Sequence, residues 1–427
     1  MSFHLTKLPK SKVRIRIELS SEEFSPYLNM AAKEISKKMD IPGFRRGYAP
    51  LEIIEQRVSE ELLDKAAEIA FNKTFLKIVE KNNLKPLGRP LARIEKLSKQ
   101  GLTGTIEVAV FPEVKLPDYK QIAKKINKRK ITVEEKEIND VILSLQKSRA
   151  KYIRSSKPVE NGDQVEIDCE VRSQGVKLEN GEIKGQRFIV DDSWIERGKR
   201  SLFIPGFEEN IKGMRENEEK TFSLAAPKDF WRKELQGKLL EFRVKVKRVF
   251  KVELPELNDE FAQSFGNFKN LEELKKAILK EIKEQKEKEE KERWGNEVLK
   301  KISEEAEIEV PDILIEKQRD QMIEEIKKQL EGLNLSFETY LSHLKMTMEE
   351  FKNKLLAQSE EKVRILLCLG EIGKKENIKV TENEIKEQMD NILKRYPNLT
   401  PDQQENLKNY LKEIIFQKKV VERLGEE

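Results

Sequence analysis

Histidine and cysteine are almost missing from this sequence of 427 residues, which contains two of each. His4 and His343 lie far apart, which argues against a histidine-based metal site and against a serine or cysteine hydrolase. Cys169 and Cys368 are also far apart and form neither a metal-binding spacing nor a disulfide framework. We therefore expect no bound metal and a chain from a reducing compartment.

Glycine and proline are scarce as well, with 19 and 15 residues, which favours long helices. No stretch approaches the roughly 18 consecutive apolar residues of a membrane-spanning helix, and the first residues show no signal-peptide pattern. No Gly-x-x-x-x-Gly-Lys-Ser/Thr loop for nucleotide phosphates occurs. We therefore expect a cytoplasmic protein without a membrane partner, without ATP and without any other cofactor.

Charge is plentiful, at 38% of all residues, and it is unevenly distributed. Residues 1–112 hold 20 Lys and Arg against 14 Asp and Glu, whereas residues 113–427 hold 63 against 64. The whole basic excess therefore lies in the first quarter of the chain. A basic module on a neutral body indicates that one end docks on a polyanion.

Hydrophobic periodicity predicts a multidomain α+β protein. Residues 1–112 are expected to form an α+β domain, and residues 159–250 a small antiparallel sheet domain. Residues 113–158 form an extended basic stretch, a helix from Thr132 and a linker at 155–158, and residues 251–427 are helical throughout. The predicted helices of the first domain are 21–38, where Ser20 and Glu23 form a capping-box pattern, and 51–82. The predicted strands of that domain are 12–19, 91–97 and 103–111. In the C-terminal part, helix starts are predicted at Thr347 with Glu350, at Thr381 with Glu384 and at Thr400 before Pro401.

The sequence between the first two helices predicts an exposed, cationic loop. Phe44, Arg45 and Arg46 lie between Gly43 and Gly47, and glycines permit a tight turn. Arginine pairs well with phosphates and carboxylates, and an aromatic ring beside arginines is typical of an interface centre. The alternative is a plain helical hairpin whose Phe44 folds back into the core.

Three segments resemble the trigger factor family of ribosome-associated chaperones. Gly43-Phe44-Arg45-Arg46-Gly47-x-x-Pro50 is similar to the family's ribosome-docking signature, although the family usually has lysine at the position of Arg46. Ile204-Pro205-Gly206-Phe207-Glu208 resembles its isomerase segment, and residues 254–261 resemble the entry to its C-terminal domain. The resemblance implies docking of residues 43–47 on a ribosomal protein and rRNA at the tunnel exit.

Residues 159–249 resemble an FKBP-type prolyl isomerase. Rotation about an X–Pro bond is limited by amide resonance, so an apolar pocket that favours the twisted amide can suffice without a nucleophile or metal. The alternative is that the phenylalanines are simply the core of a small domain. The resemblance implies a pocket lined by Phe188, Phe203, Ile204, Phe207, Phe230 and Phe242, with the Ile204 N–H binding a substrate carbonyl.

Two positions depart from the isomerase pattern. Cys169 stands where the family usually has an aromatic residue, and Leu178 replaces a second pocket aromatic. The segment 191–202, which contains Trp194, is also longer than expected. We therefore expect the domain to fold but to be a weak isomerase.

The favoured hypothesis is an ATP-independent chaperone that holds nascent and unfolded polypeptides at the ribosome. Clients are expected to bind dispersed apolar side chains of residues 312–370. One rival is a prolyl isomerase whose helices deliver substrate without the ribosome, and another is a basic RNA-binding protein. A homodimer of the free protein is left open. The candidates for the client surface are Ile313, Leu314, Met322, Leu333, Leu335, Met346 and Met348.

Overall fold

The computed structural model describes residues 2–39, 42, 44–190, 203–333 and 335–426. Within these ranges antiparallel sheets alternate with long helices, which confirms the predicted multidomain α+β class. The chain divides into two compact units, one of residues 1–129 with 290–427 and the other of residues 130–289. The four domains predicted from the sequence have other boundaries than these two units, and that division stays a prediction.

The regular elements in the described residues are strands β1 to β11 and helices α1 to α12. The strands are β1 (Ser2–Leu8), β2 (Lys12–Ser20), β3 (Pro86–Ser98), β4 (Gly101–Val110), β5 (Val114–Lys115), β6 (Lys151–Ser155), β7 (Gln164–Ser173), β8 (Val176–Ile189), β9 (Glu219–Ala225), β10 (Leu239–Glu253) and β11 (Glu307–Ile308). The helices are α1 (Ser21–Lys38), α2 (Leu51–Lys81), α3 (Tyr119–Lys125), α4 (Glu135–Ser148), α5 (Phe207–Ile211), α6 (Asp259–Gln263), α7 (Leu271–Glu305), α8 (Asp312–Glu331), α9 (Phe337–Leu344), α10 (Met348–Lys375), α11 (Glu382–Leu393) and α12 (Pro401–Gly425).

The first unit begins with a four-stranded antiparallel sheet in the order β1-β2-β4-β3. Strand β2 alternates strictly, so Val13, Ile15 and Ile17 are buried while Arg14 and Arg16 are exposed. The buried face packs against α1 and α2 in one hydrophobic core. The half-buried strand predicted at 12–19 is therefore confirmed, together with the two helices that cover it.

Helix α1 begins where the sequence predicted, at a capping box. The Glu23 N–H donates to the Ser20 hydroxyl at 3.4 Å, and the Ser20 N–H donates to the Glu23 carboxylate at 3.2 Å. Each bond satisfies a backbone donor that the first helical turn leaves free. The predicted starts at Thr347, Thr381 and Thr400 are confirmed in the same way.

The stretch 113–130, predicted to be extended, contains helix α3. The Asp118 side chain accepts a hydrogen bond from the Gln121 N–H at 3.0 Å and caps the helix. Tyr119 and Ile122 are buried in the helical core. Seven residues are too few to show a helical period clearly, so this helix depends on the core that it packs against.

Two further predictions near α4 and β6 were wrong. Helix α4 starts after Glu134, which forms a capping box with Glu137, and not after Thr132. The Thr132 carbonyl instead accepts a hydrogen bond from the Lys286 ammonium at 2.9 Å. The linker predicted at 155–158 begins one residue too early, because Ser155 ends β6, which pairs with β10.

The helical part of the first unit has a core built from α7, α10 and α12. Trp294, Val298, Ile302, Cys368 and Ile372 are all buried there, and α3 completes it. A second cluster joins α8, α9 and α10 around Phe337 and Phe351, whose rings meet edge to face at 5.7 Å. Two buried clusters thus order the helices of this unit.

Arg364 of α10 fixes the end of helix α7. Its guanidinium donates to the carbonyls of Ser303 at 2.8 Å, Ala306 at 2.7 Å and Ile308 at 3.2 Å. The last carbonyls of a helix have no partner within the helix, and five rigidly arranged donors suit arginine to this role.

The second unit is centred on an antiparallel sheet. The long strand β10 pairs with β7 on one edge and with β9 and then β6 on the other, while β8 pairs with β7. Helix α4 packs its buried Ile142 against Phe261, Leu274 and Ile278. Among the described helices of the whole chain, none combines the length and apolarity needed to cross a membrane.

Replacing Arg364 by methionine should lower the stability of the first unit by about 2 kcal/mol, because charged hydrogen bonds to three carbonyls are lost. The thermal midpoint followed by circular dichroism should fall by several degrees. Lys362→Met, which removes only an exposed ion pair to Glu325, is the control and should have little effect. Equal midpoints for both variants would contradict the role of Arg364.

Candidate functional site

The loop between α1 and α2 is held to the end of α1 by its backbone. The Gly47 N–H donates to the Ser36 carbonyl at 2.9 Å, and the Tyr48 N–H donates to the Arg45 carbonyl at 3.0 Å. Gly47 has φ of +85°, and a Cβ there would lie 3.1 Å from Lys37 Cγ. The positive φ therefore favours glycine at position 47, and a Cβ there would also press on the Lys37 side chain.

The side chains of this loop point outward. Phe44 is 39% exposed, Tyr48 is 73% exposed, and both Arg45 and Arg46 are exposed. The exposure of Phe44 excludes the alternative in which this ring folds back into the core. Gly43, the first predicted site residue, lies outside the described residues. The loop presents two aromatic rings and two guanidinium groups on one short turn.

Tyr48 is a loop residue that the sequence reasoning missed. The Arg45 guanidinium carbon lies 5.8 Å from the centre of the Tyr48 ring, which is within cation–π distance. Tyr48 lies between Gly47 and Ala49-Pro50, outside any predicted helix or strand. That position was the signal in the sequence that its side chain would be exposed. Tyr48 both widens the exposed surface and restrains Arg45.

In the second unit, the predicted pocket rings form one cluster around Phe207. The Phe207 ring centre lies 4.3 Å from Phe203, 5.3 Å from Phe242 and 6.3 Å from Phe188. Gly206, at φ of +90°, turns the chain into α5 and so delivers Phe207 to the cluster. The structure thus brings together rings from β8, β10 and the segment before α5.

The remaining pocket residues lie in the same buried cluster. Ile204 is buried, and its N–H has no hydrogen-bond partner among the described residues. Phe230 is buried and its ring lies 5.9 Å from the partly exposed Trp231. The segment 191–202, with Trp194, lies outside the described residues. The rings clearly form a core, and their use as a substrate pocket stays a prediction.

Phe222 belongs to the cluster but was not predicted. Its ring lies 5.5 Å from Phe207 and 5.6 Å from Phe242. Alternation along β9 was the available signal, because Phe222 and Leu224 are the less exposed positions of that strand.

Cys169 and Leu178, the two departures from the isomerase pattern, both pack against this cluster. Cys169 lies on β7 opposite Val244 of β10, and burial raises the pKa of its thiol to about 12. Cys169 is therefore a neutral, apolar side chain at physiological pH and not a nucleophile. Burial likewise raises the pKa of the Cys368 thiol to about 11.

No group of three His, Cys, Asp or Glu side chains suited to a metal occurs in the part of the chain that the structure describes. In the second unit, the structure brings together packed aromatic rings and the Ile204 backbone N–H.

Protein-family models match three segments of the chain. Residues 1–145 match the model "Bacterial trigger factor protein (TF)", and residues 270–426 match "Bacterial trigger factor protein (TF) C-terminus". Residues 155–254 match "FKBP-type peptidyl-prolyl cis-trans isomerase".

Whole-length relatives agree with this assignment. The chain is 34% identical to the trigger factor of Caldicellulosiruptor bescii and 32% identical to that of Caldicellulosiruptor saccharolyticus, covering 100% of this chain and 96% of each relative. It is 30% identical to a Clostridium botulinum trigger factor, over 100% and 99% of the two chains. A solved trigger factor chaperone shares the fold over 100% of both chains, with a TM-score of 0.57 and 22% identity.

Both thiols should be unreactive in the folded protein, because a thiol with a pKa of about 11 or 12 forms almost no thiolate at pH 8. With a disulfide reagent such as DTNB, the native chain should react at least roughly 100-fold more slowly than the chain in guanidinium chloride. Cys169→Ser and Cys368→Ser identify which thiol reacts. Rapid reaction of either thiol in the native protein would contradict its burial.

Proposed function

Because the chain belongs to the trigger factor family of chaperones, we propose that it docks at the exit of the ribosomal peptide tunnel through Phe44, Arg45 and Arg46. The contacts in this proposal are with a ribosomal protein and with rRNA, and the protein works in the cytoplasm. The chain carries an FKBP-type prolyl-isomerase domain beside its chaperone function. At the tunnel exit the chain holds nascent polypeptides without ATP.

The observation that carries this proposal is the exposed loop. A ring that is 39% exposed beside two exposed arginines offers a partner an apolar contact and charged hydrogen bonds on the same turn. Guanidinium groups form paired hydrogen bonds with carboxylates of a protein or with phosphates of RNA. A central ring with flanking arginines is the arrangement that dominates binding energy at protein interfaces.

The framework of the loop explains why few residues are enough. The bond from Gly47 to Ser36 fixes the loop backbone before binding. The Tyr48 ring limits the positions available to Arg45. Less conformational entropy is then lost on docking, which raises affinity without additional contacts.

We also propose that the ring cluster around Phe207 binds the proline of an X–Pro segment. Its apolar rings favour the twisted amide, which carries less resonance charge than the planar one. The Ile204 N–H, which lacks a partner in the described structure, would hold a substrate carbonyl. Cys169 and Leu178 supply less aromatic surface than the family pattern, so we propose that catalysis is weak.

The side chains predicted to bind clients differ in how far they are exposed. Ile313 packs against Gly88, and Met322 and Leu335 pack in the cluster around Phe337. Leu333 is 73% exposed and Met348 is 37% exposed. We propose that these two residues contact clients.

The variant Phe44→Ala/Arg45→Ala/Arg46→Ala should lose co-sedimentation with ribosomes, because the ring and both cations are removed together. An affinity loss of roughly 100-fold corresponds to a few kcal/mol, as expected for interface anchors. The folded state should be unchanged, since the three side chains are exposed.

The chain offers a matched control in Lys394, Arg395 and Tyr396, which are also two exposed cations beside an exposed ring. Their triple alanine variant should pellet with ribosomes like the wild type. Undiminished pelleting of the loop variant would refute the docking proposal.

Phe207→Leu should lower kcat/KM for an X–Pro peptide by at least roughly tenfold, because a planar ring is lost while an apolar side chain remains. Phe250→Leu makes the same change on β10, where Arg187 lies over the ring, and is the control. The activity is followed by the cis-to-trans isomerisation of that peptide. Equal activity of the two variants would exclude the ring cluster as the pocket.

A further inference from the structure

A second concentration of positive charge lies outside the α1–α2 loop. Residues 119–133 contain six Lys and Arg and no Asp or Glu, in a chain with 78 acidic residues among 427. Five of these cations are exposed, and the four that belong to the first unit, Lys124, Lys125, Lys128 and Arg129, form what we call the α3 patch.

The fold holds the α3 patch on a fixed backbone. Helix α3 buries Tyr119 and Ile122, which turns Lys124 and Lys125 to solvent. Just after the helix, the Trp294 indole N–H donates to the Ile126 carbonyl at 2.9 Å.

Lys128 is anchored as well. Its ammonium lies 4.6 Å from the centre of the Trp294 ring and donates to the Gly425 carbonyl at 3.0 Å. The cations of the patch therefore project from an ordered surface and not from a loose tail.

Two carboxylates lie at the start of α3: Asp118 caps the helix, and Glu376 already has hydrogen-bonding and cationic partners. Glu376 accepts hydrogen bonds from the Tyr119 hydroxyl at 2.8 Å and from the Arg423 guanidinium at 3.2 Å, and it pairs with Lys120 at 3.3 Å. These partners, Tyr119 first, hold the pKa of Glu376 below its usual range. Glu376 has no capacity left to balance the patch.

The carboxylate next to the end of the patch is also occupied. Glu290 accepts hydrogen bonds from the Arg293 guanidinium at 2.6 Å and from the Arg129 backbone N–H at 2.7 Å. Lys124 and Lys125 form no ion pair within the described ranges of the chain. The patch therefore keeps a positive charge that internal partners do not cancel.

We propose that the α3 patch binds the phosphate backbone of RNA, as a contact separate from the loop. The rings of Tyr119 and Trp294, on which the patch is built, are buried and cannot stack on bases. Cations without an exposed ring are suited to phosphates and not to reading a base sequence. This inference rests on the proposed function, because docking at the ribosome is what brings the patch next to RNA.

The test measures ribosome affinity as a function of salt for Lys124→Gln/Lys125→Gln/Arg129→Gln, with Lys128 retained because it is anchored. The slope of log K against log salt should fall by roughly 2, since each lost phosphate contact removes about 0.7. Raising salt from about 50 to about 200 mM should then weaken the wild type roughly 15-fold more than the variant. An unchanged slope overturns the proposal.

The control variant carries the same charge change at Lys317, Lys354 and Lys394, which are exposed and form no ion pair in the described structure. Its salt slope should equal that of the wild type. Equal circular dichroism melting curves establish that all variants are folded. If the control variant also lowered the slope, the effect would come from net charge alone. The proposal that the α3 patch is an RNA-binding site would then be wrong.

Binding to isolated polymers distinguishes RNA from an acidic protein as the partner of the α3 patch. Single-stranded poly(U) should bind the wild type and bind the α3 variant more weakly. If poly(U) binding is unchanged while polyglutamate binding falls, the partner is an acidic peptide and the RNA proposal is wrong.

The alanine variant of residues 44–46 keeps the two proposals distinguishable. It should lose ribosome pelleting but keep poly(U) binding, because the patch is intact. If the alanine variant of residues 44–46 still pellets with ribosomes, the docking proposal is wrong, whatever its poly(U) binding. If the α3 variant binds poly(U) as tightly as the wild type, only the proposal for the α3 patch is wrong.

Discussion

The hydrogen bond from the Gly47 N–H to the Ser36 carbonyl, at 2.9 Å, determines what the first part of the chain can present to a partner. It ties the loop back to the last turns of α1 and requires a φ that other residues adopt only with strain. With the backbone held, Phe44 and the two arginines have no neighbouring core to enter. Their exposure is thus a consequence of backbone geometry.

A different constraint acts in the isomerase unit, where the same rings serve stability and the proposed pocket. Phe207 contacts rings from several segments and is almost fully buried. Removing such a ring entirely would leave a cavity and cost a few kcal/mol. Cys169, which is itself buried, and the partly buried Leu178 pack against the same core with side chains smaller than an aromatic ring.

Signals confined to a few neighbouring residues were read correctly from the sequence. The capping boxes at Ser20, Thr347 and Thr381 need only a residue and its third neighbour, and the alternation of β2 needs only nine residues. The loop at 43–50 was located because glycines and proline interrupt the helical pattern. These local signals were enough to predict the fold class and the exposed loop.

Features that depend on distant partners were not predicted. Helix α3 exists because Tyr119 enters a core built from α7, α10 and α12, which its own seven residues cannot reveal. The link from Arg364 to the end of α7, about 60 residues away, is equally long-range. The same reason applies to the client candidates, since only the tertiary fold shows that Ile313 packs against Gly88 while Leu333 is exposed.

The most direct measurement is the affinity of Gly47→Ala for ribosomes, because this change leaves Phe44, Arg45 and Arg46 in place and alters only the turn. Gly213→Ala is the matched control, since Gly213 has φ of +87° but nothing within 4 Å of an added Cβ. The account predicts roughly 5- to 30-fold weaker binding for Gly47→Ala, from backbone strain of about 1–2 kcal/mol, and wild-type binding for Gly213→Ala. Wild-type affinity of Gly47→Ala would show that the turn does not position the docking residues.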